Sequence, residues 1–156
     1  MRIIISLTLL LLIVSASAQR VTFDDPDLTF SIKKPKGWEV FDDGYVVKVS
    51  PSMQDTASTY FSITYFEGAQ PYGEIIFEEQ LQLDIKPAPT GKTKIAGEPA
   101  SYFEAIDEKS ATIIYTFSKY NQRFELVTKS PITSEHSRQL NSLVRSVKVS
   151  KNHRDN

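Results

Sequence analysis

Five carboxylates, Asp24, Asp25, Asp27, Asp42 and Asp43, are the residues whose type and spacing come nearest to suggesting chemistry. Oxygen ligands from short acidic loops take hard cations such as Ca²⁺, and extracellular modules hold that ion at about millimolar strength. Strand register is what would gather them. A hairpin turning at Pro35-Lys36-Gly37 and pairing Lys34 with Trp38 sets Phe30 opposite Asp42 and Thr29 opposite Asp43, so that all five reach one sheet end. Two facts stand against a metal site. Aspartate is favoured in turns because its carboxylate accepts local backbone N–H groups, and this spacing is not that of an EF-hand loop.

Nucleophilic or acid–base catalysis usually needs a histidine beside the reacting group. The chain has two, His136 and His153. His136, within Ser134-Glu135-His136-Ser137, reads as a solvated residue in the first turn of a helix, and His153 falls in a polar C-terminal tail. Gly-x-Ser-x-Gly, His-Glu-x-x-His and Gly-rich phosphate loops do not occur. Two histidines without cysteine also disfavour a transition-metal site. A hydrolase built on the aspartates would need a defined carboxylate separation, which spacing along the chain does not supply. The expectation is a protein that is not an enzyme and carries no cofactor.

Recognition is the remaining chemistry. Tyr60, Phe66, Tyr72 and Tyr120 are not used by the inward faces assigned below, and aromatics at strand ends form contact surfaces when they are exposed. In a sheet covered on both sides they more often fill the second face. Gln70-Pro71-Tyr72-Gly73 precedes a helical pattern, which makes Gln70 and Tyr72 the candidates for touching a partner. Trp38 follows a tight turn and is expected in the core.

These residues must be positioned by a β-rich scaffold. Six leucines against 17 aromatics after residue 18 already favour half-buried sheet surfaces. Strands are expected at Leu28–Lys33, Trp38–Phe41, Tyr45–Val49, Thr59–Phe66, Lys92–Ile95, Glu98–Ile106, Ser110–Ser118 and Arg123–Lys129, separated by turns at Pro35–Gly37, Asp42–Gly44, Ala96–Gly97 and Asn121–Gln122. Period 3.6 replaces period 2 between Gly73 and Ile85, where Phe77, Leu81 and Ile85 lie four apart and predict a helix. A second helix, capped by Thr133 or Ser134, carries Leu140, Leu143 and Val144 to about Ser146, and a short strand at Val147–Val149 follows. Strands, helix, strands, helix and strand in that order imply an α+β fold with a central, mostly antiparallel sheet and two covering helices, an α/β/α sandwich.

The N-terminus supplies an address. Met1-Arg2, the apolar run Ile3–Val14 and the small-x-small site Ala16-Ser17-Ala18 make a secretory signal cut before Gln19. The apolar run is too short for the roughly 20 residues a membrane-spanning helix needs. Residues 1–18 are then a signal peptide, 19–150 one domain and 151–156 a frayed polar tail. Removing Arg2 with the signal shifts the net charge from −1 to −2, a balance that does not suggest nucleic acid as a partner. The absence of cysteine excludes disulfides and the lipid-modified cysteine of bacterial lipoproteins. A secreted or periplasmic protein is expected, with no transmembrane helix in the mature chain.

Phe30-Ser31-Ile32-Lys33-Lys34-Pro35-Lys36-Gly37-Trp38 resembles the aromatic-x-aliphatic-x-x-Pro-x-Gly-Trp opening of PsbP-like domains. That superfamily includes PsbP, DcrB-type envelope proteins and a Ran-binding import factor. Ile95-Ala96-Gly97-Glu98-Pro99-Ala100 is similar to its aliphatic-x-Gly-x-x-Ala turn, and Leu143-Val144-Arg145-Ser146-Val147-Lys148-Val149 to its closing helix and strand. The likeness spans about residues 21 to 149 and implies an α/β/α sandwich with accessory or binding roles rather than a shared catalytic site. It carries no metal-binding or Ran-binding position onto this chain. The partner is then an unidentified protein met through a sheet end and the Gln70–Gly73 loop, or alternatively a small ligand or lipid held between the sheet and the first helix.

Overall fold

Branched and aromatic residues alternating with polar ones build the strands. The computed structural model describes residues 18–44, 46–52, 54, 58–67 and 89–152. Among these residues the strands are β1 (Gln19–Asp24), β2 (Leu28–Lys34), β3 (Glu39–Asp42), β4 (Val46–Ser50), β5 (Tyr60–Glu67), β6 (Gly91–Ile95), β7 (Glu98–Ile106), β8 (Ser110–Lys119), β9 (Gln122–Pro131) and β10 (Lys148–Lys151), with helix α1 (Ser137–Ser146) before the last. They pair as two antiparallel sheets, one of seven strands in the order β3-β4-β5-β9-β8-β7-β6 and one of three in the order β1-β2-β10. The fold is sheet-dominated α+β, as the element pattern predicts.

Period decides which side chains meet. Phe61, Ile63 and Tyr65 of β5 stand in register with Thr128, Leu126 and Phe124 of β9, and the last two with Tyr115 and Phe117 of β8. Against this face pack Leu140, Leu143 and Val144 of α1 and Leu28, Phe30 and Ile32 of β2, all buried. The three-stranded sheet therefore shares a layer with α1, and five rings tie the two sheets together. Phe117 stacks on Phe124 at 4.9 Å, Phe124 meets Tyr65 at 5.8 Å, Tyr65 meets Phe30 at 6.2 Å, and Phe30 stacks on Phe23 at 4.9 Å. The opposite face of the large sheet is also buried, at Ser62, Thr112, Ile114, Thr116, Glu125 and Val127.

Several sequence expectations need correction. The Pro35–Gly37 turn exists, with Trp38 N donating to Pro35 O at 3.2 Å and Gly37 at φ 81°, but it does not close a hairpin. Both edges of β2 are already occupied by β1 and β10, so the chain leaves for the other sheet and β3 pairs with β4. Residues 19–24, read as unassigned, form β1 because Val21 and Phe23 alternate with polar residues beside β2. Tyr120-Asn121, both at positive φ, make the two-residue turn expected one place later, and Gln122 belongs to β9. α1 starts at Ser137, because Ser134 spends its Oγ accepting from His136 N at 3.1 Å rather than capping the helix. His136 is half-buried edge-on against Trp38 at 5.5 Å, not solvated. The tail is docked as far as Asn152, whose N donates to Asp27 O at 3.1 Å. Of the two expected helices, the one over Gly73–Ile85 lies outside the described residues, as do Gln70, Tyr72 and His153.

Candidate functional site

Three of the five aspartates, Asp24, Asp25 and Asp42, come to one small cavity, by a route other than the expected hairpin. The β1–β2 turn carries Asp24, Asp25 and Asp27, the β3–β4 turn carries Asp42 and Asp43, and Tyr65 of β5 stands between the two turns. Asp24, Asp25 and Asp42 help to line a small cavity of about 90 Å³ floored by Phe23, Phe30 and Ile63. The Tyr65 hydroxyl donates to Asp25 Oδ2. Burial first, then that bond and the negative charges of Asp25, Asp27 and Asp42, hold the phenol well above its usual range. It is a fixed donor at physiological pH.

The carboxylates are largely spent on their own turns. Asp24 Oδ1 accepts from Thr29 Oγ1 at 2.7 Å and Asp25 Oδ1 from Asp27 N at 3.1 Å. Asp42 Oδ1 accepts from Gly44 N at 2.9 Å and Asp43 Oδ1 from Val46 N at 2.8 Å. Among the described residues, no three histidine, aspartate or glutamate side chains are grouped to hold a metal ion. What the arrangement does is close each turn on itself and tie the β1–β2 turn to β5 through Tyr65. Asn152 adds a further tie by donating from Nδ2 to Asp25 O at 2.5 Å.

The second face of the large sheet places charge where none was expected. Glu125 is buried between Thr64 and Thr116 on its neighbouring strands, and burial pushes its carboxyl up, partly offset by Arg123. Its Oε2 has no hydrogen-bond partner among the described residues. Nearby, the Lys48 ammonium sits 4.1 Å from the centre of the Tyr60 ring, and burial and then Lys129 lower its pKa. Tyr60 is thus accounted for within the second face. Phe66 and Tyr120 are not: they are 38% and 48% exposed where β5 ends and β8 turns into β9. The Arg123 guanidinium lies 5.8 Å from the centre of the Phe66 ring.

A larger opening lies at the C-terminal end of α1. It is an open cleft of about 710 Å³, and Arg20, Lys33, Lys94, Arg145 and Lys148 line it. They come from β1, β2, β6, α1 and β10, so spacing along the chain could not have grouped them. One fragment was legible: Arg145 and Lys148 flank the helix end. The cross-strand pairing of Arg20 with Lys33 required the unrecognised strand β1.

A seven-stranded antiparallel sheet carries a helix and a small sheet on one face, and this fold is PsbP-like, as its likeness to a solved PsbP structure shows. It is similar to the solution structure of cyanobacterial PsbP (CyanoP) from Synechocystis sp. PCC 6803 at 12% identity, covering 86% of this chain and 94% of that one with a TM-score of 0.57. It is similar to a crystal structure from Bacteroides thetaiotaomicron VPI-5482 at 20% identity and TM-score 0.54, covering 78% of this chain but only 45% of that one. LpqN, described as involved in cell envelope biogenesis of Mycobacterium tuberculosis, aligns over 85% of this chain and 91% of its own with 11% identity and a TM-score of 0.45. No protein-family model matches the sequence, and no curated protein matches it either.

Proposed function

We propose that this is an exported, non-enzymatic accessory domain that works through protein–protein contact in the cell envelope or the extracellular space. The observation that carries the reading is the sheet end at Phe66 and Tyr120. Two aromatics stand exposed at the same end of the antiparallel sheet, one where β5 ends and the other where β8 turns into β9. Aromatic anchors of this kind are what protein interfaces use, because they offer large contact area at little entropy cost. Export is supported by the N-terminal pattern, and β1 opens at Gln19, so cleavage after Ala18 would leave every described strand whole. No helix among the described residues is long and apolar enough to cross a membrane.

Native mass spectrometry of the gently purified protein from its own host tests the reading. A chain beginning at Gln19 together with one second polypeptide is expected, and Phe66→Ala with Tyr120→Ala should release that polypeptide while the exposed control Ile106→Ser retains it. A small molecule bound in place of a polypeptide would favour the second reading, a ligand carrier using the sheet face around Glu125. The unpartnered carboxylate oxygen buried there is the observation in its favour.

A further inference from the structure

The opening at the end of α1 gathers five cations in a molecule whose overall charge is only −1. Among the described residues no carboxylate lines it, and none of the five forms an ion pair. Arg145 alone would be ordinary, since the negative end of a helix dipole favours a cation. Arg20, Lys33, Lys94 and Lys148 belong to other elements, and bringing them to the same opening makes a local positive field that favours an anion there. We propose that this opening binds a ligand bearing two or more phosphate groups.

The side chains suit that chemistry. Arg20 Nη1 donates to Ser31 Oγ at 2.6 Å, which anchors the guanidinium while leaving further N–H groups for a ligand. Arginine meets phosphate with two parallel bonds and lysine supplies point charges, so two of the first and three of the second serve several phosphates better than one. Ser146 sets the rim: its Oγ accepts from Lys33 N and donates to Leu143 O, both at 2.8 Å, pinning β2 to the helix end. Gly97, at φ 86°, presents bare backbone on the opposite rim. The cleft is open to solvent, and its volume falls within the roughly 300–1,000 Å³ of small-molecule sites.

The lining also argues against other anions. Phe41, Phe66, Ile106, Tyr120 and Ile132, the large apolar side chains exposed among the described residues, all lie elsewhere, so an acidic protein partner would find no anchor pocket. No aromatic ring lines the opening either, which removes the stacking platform that single-stranded nucleic acids use. A phosphorylated small molecule and the headgroup of a lipid with several phosphates share the chemistry that remains.

Calorimetric titration of the purified protein with sodium tripolyphosphate tests the proposal, alongside inorganic phosphate, a glutamate-rich peptide and phosphatidylcholine vesicles doped with cardiolipin. Tripolyphosphate should bind more tightly than inorganic phosphate and weaken as salt is added. Arg20→Ala and Arg145→Ala should each cut its affinity about tenfold, while Lys109→Ala, at an exposed turn outside the opening, should leave it unchanged. Thermal melts of the variants separate lost binding from lost folding. Binding of the vesicles as well identifies a lipid headgroup as the source, and tripolyphosphate alone identifies a soluble ligand. Absence of tripolyphosphate binding, equal weakening by Lys109→Ala, or binding of the peptide alone would overturn the proposal.

Discussion

Phe124→Ala probes the joint between the two sheets. Phe124 is fully buried on the central strand β9, in register with Tyr65 on one side and Phe117 on the other, and its ring is the second of the five that run from the large sheet to the small one. Removing the ring forfeits its transfer free energy and leaves a cavity that β9, hydrogen-bonded along both edges, cannot collapse to fill. That costs about 3–5 kcal/mol, a large share of the roughly 5–15 kcal/mol by which domains are stable. At about 3.5 °C per kcal/mol for a domain of this size, the melting temperature should fall by about 10–17 °C. Urea denaturation followed by tyrosine and tryptophan fluorescence, with a thermal melt beside it, measures both. A double-mutant cycle with Phe117→Leu and Phe124→Leu should return a coupling of about 0.5–1.5 kcal/mol beyond area burial. A loss below about 1.5 kcal/mol for Phe124→Ala, or strict additivity in the cycle, would refute the placement of this ring at the joint.

Glu125→Gln should stabilise the protein by about 1–2 kcal/mol at pH 7 and less in acid. The folded-state carboxyl titrates above its unfolded value near 4.5, so wild-type stability from this group is full below that pH and is lost as pH rises through the folded value; urea midpoints that shift equally at pH 4 and pH 7 would contradict the buried placement. Tyr65→Phe should cost about 1 kcal/mol in urea, less than a fully buried bond to a charged group because the site is half open to water. Calcium titrated into wild type and into Asp25→Asn with Asp43→Asn should give the same heats, since these carboxylates serve backbone N–H groups of their own turns; a millimolar isotherm present only in wild type would establish a cation site.

Local signals carried much of the fold. β5 was legible because Phe61, Ile63 and Tyr65 alternate with polar residues, and the β6–β7 hairpin because Ala96-Gly97 interrupts two such runs, its positive φ values at both positions fitting a two-residue turn. β1 escaped notice because Val21 and Phe23 are only two apolar positions in a six-residue run and gain a partner only when β2 lies beside them. The Pro35–Gly37 turn was located correctly but its meaning was not. A tight turn states that the chain bends, and whether the flanking strands pair depends on which other strands claim their edges.

Recognition chemistry divides along the same line. The acidic turns could be named from the sequence because the aspartates fall in short clusters, but that Asp24, Asp25 and Asp42 meet at Tyr65 could not, because it depends on strand pairings between distant segments. The cationic opening could not be named. Its residues lie as far apart as Arg20 and Lys148, and each taken alone is an ordinary surface cation. By itself the sequence determined the class of fold and most of the turns, because these depend on periodicity and backbone preference within a dozen residues. Only the tertiary structure decided which sheet each strand joins and which side chains meet. Edge pairing and charge clustering are set by contacts between segments more than a hundred residues apart, such as β2 with β10.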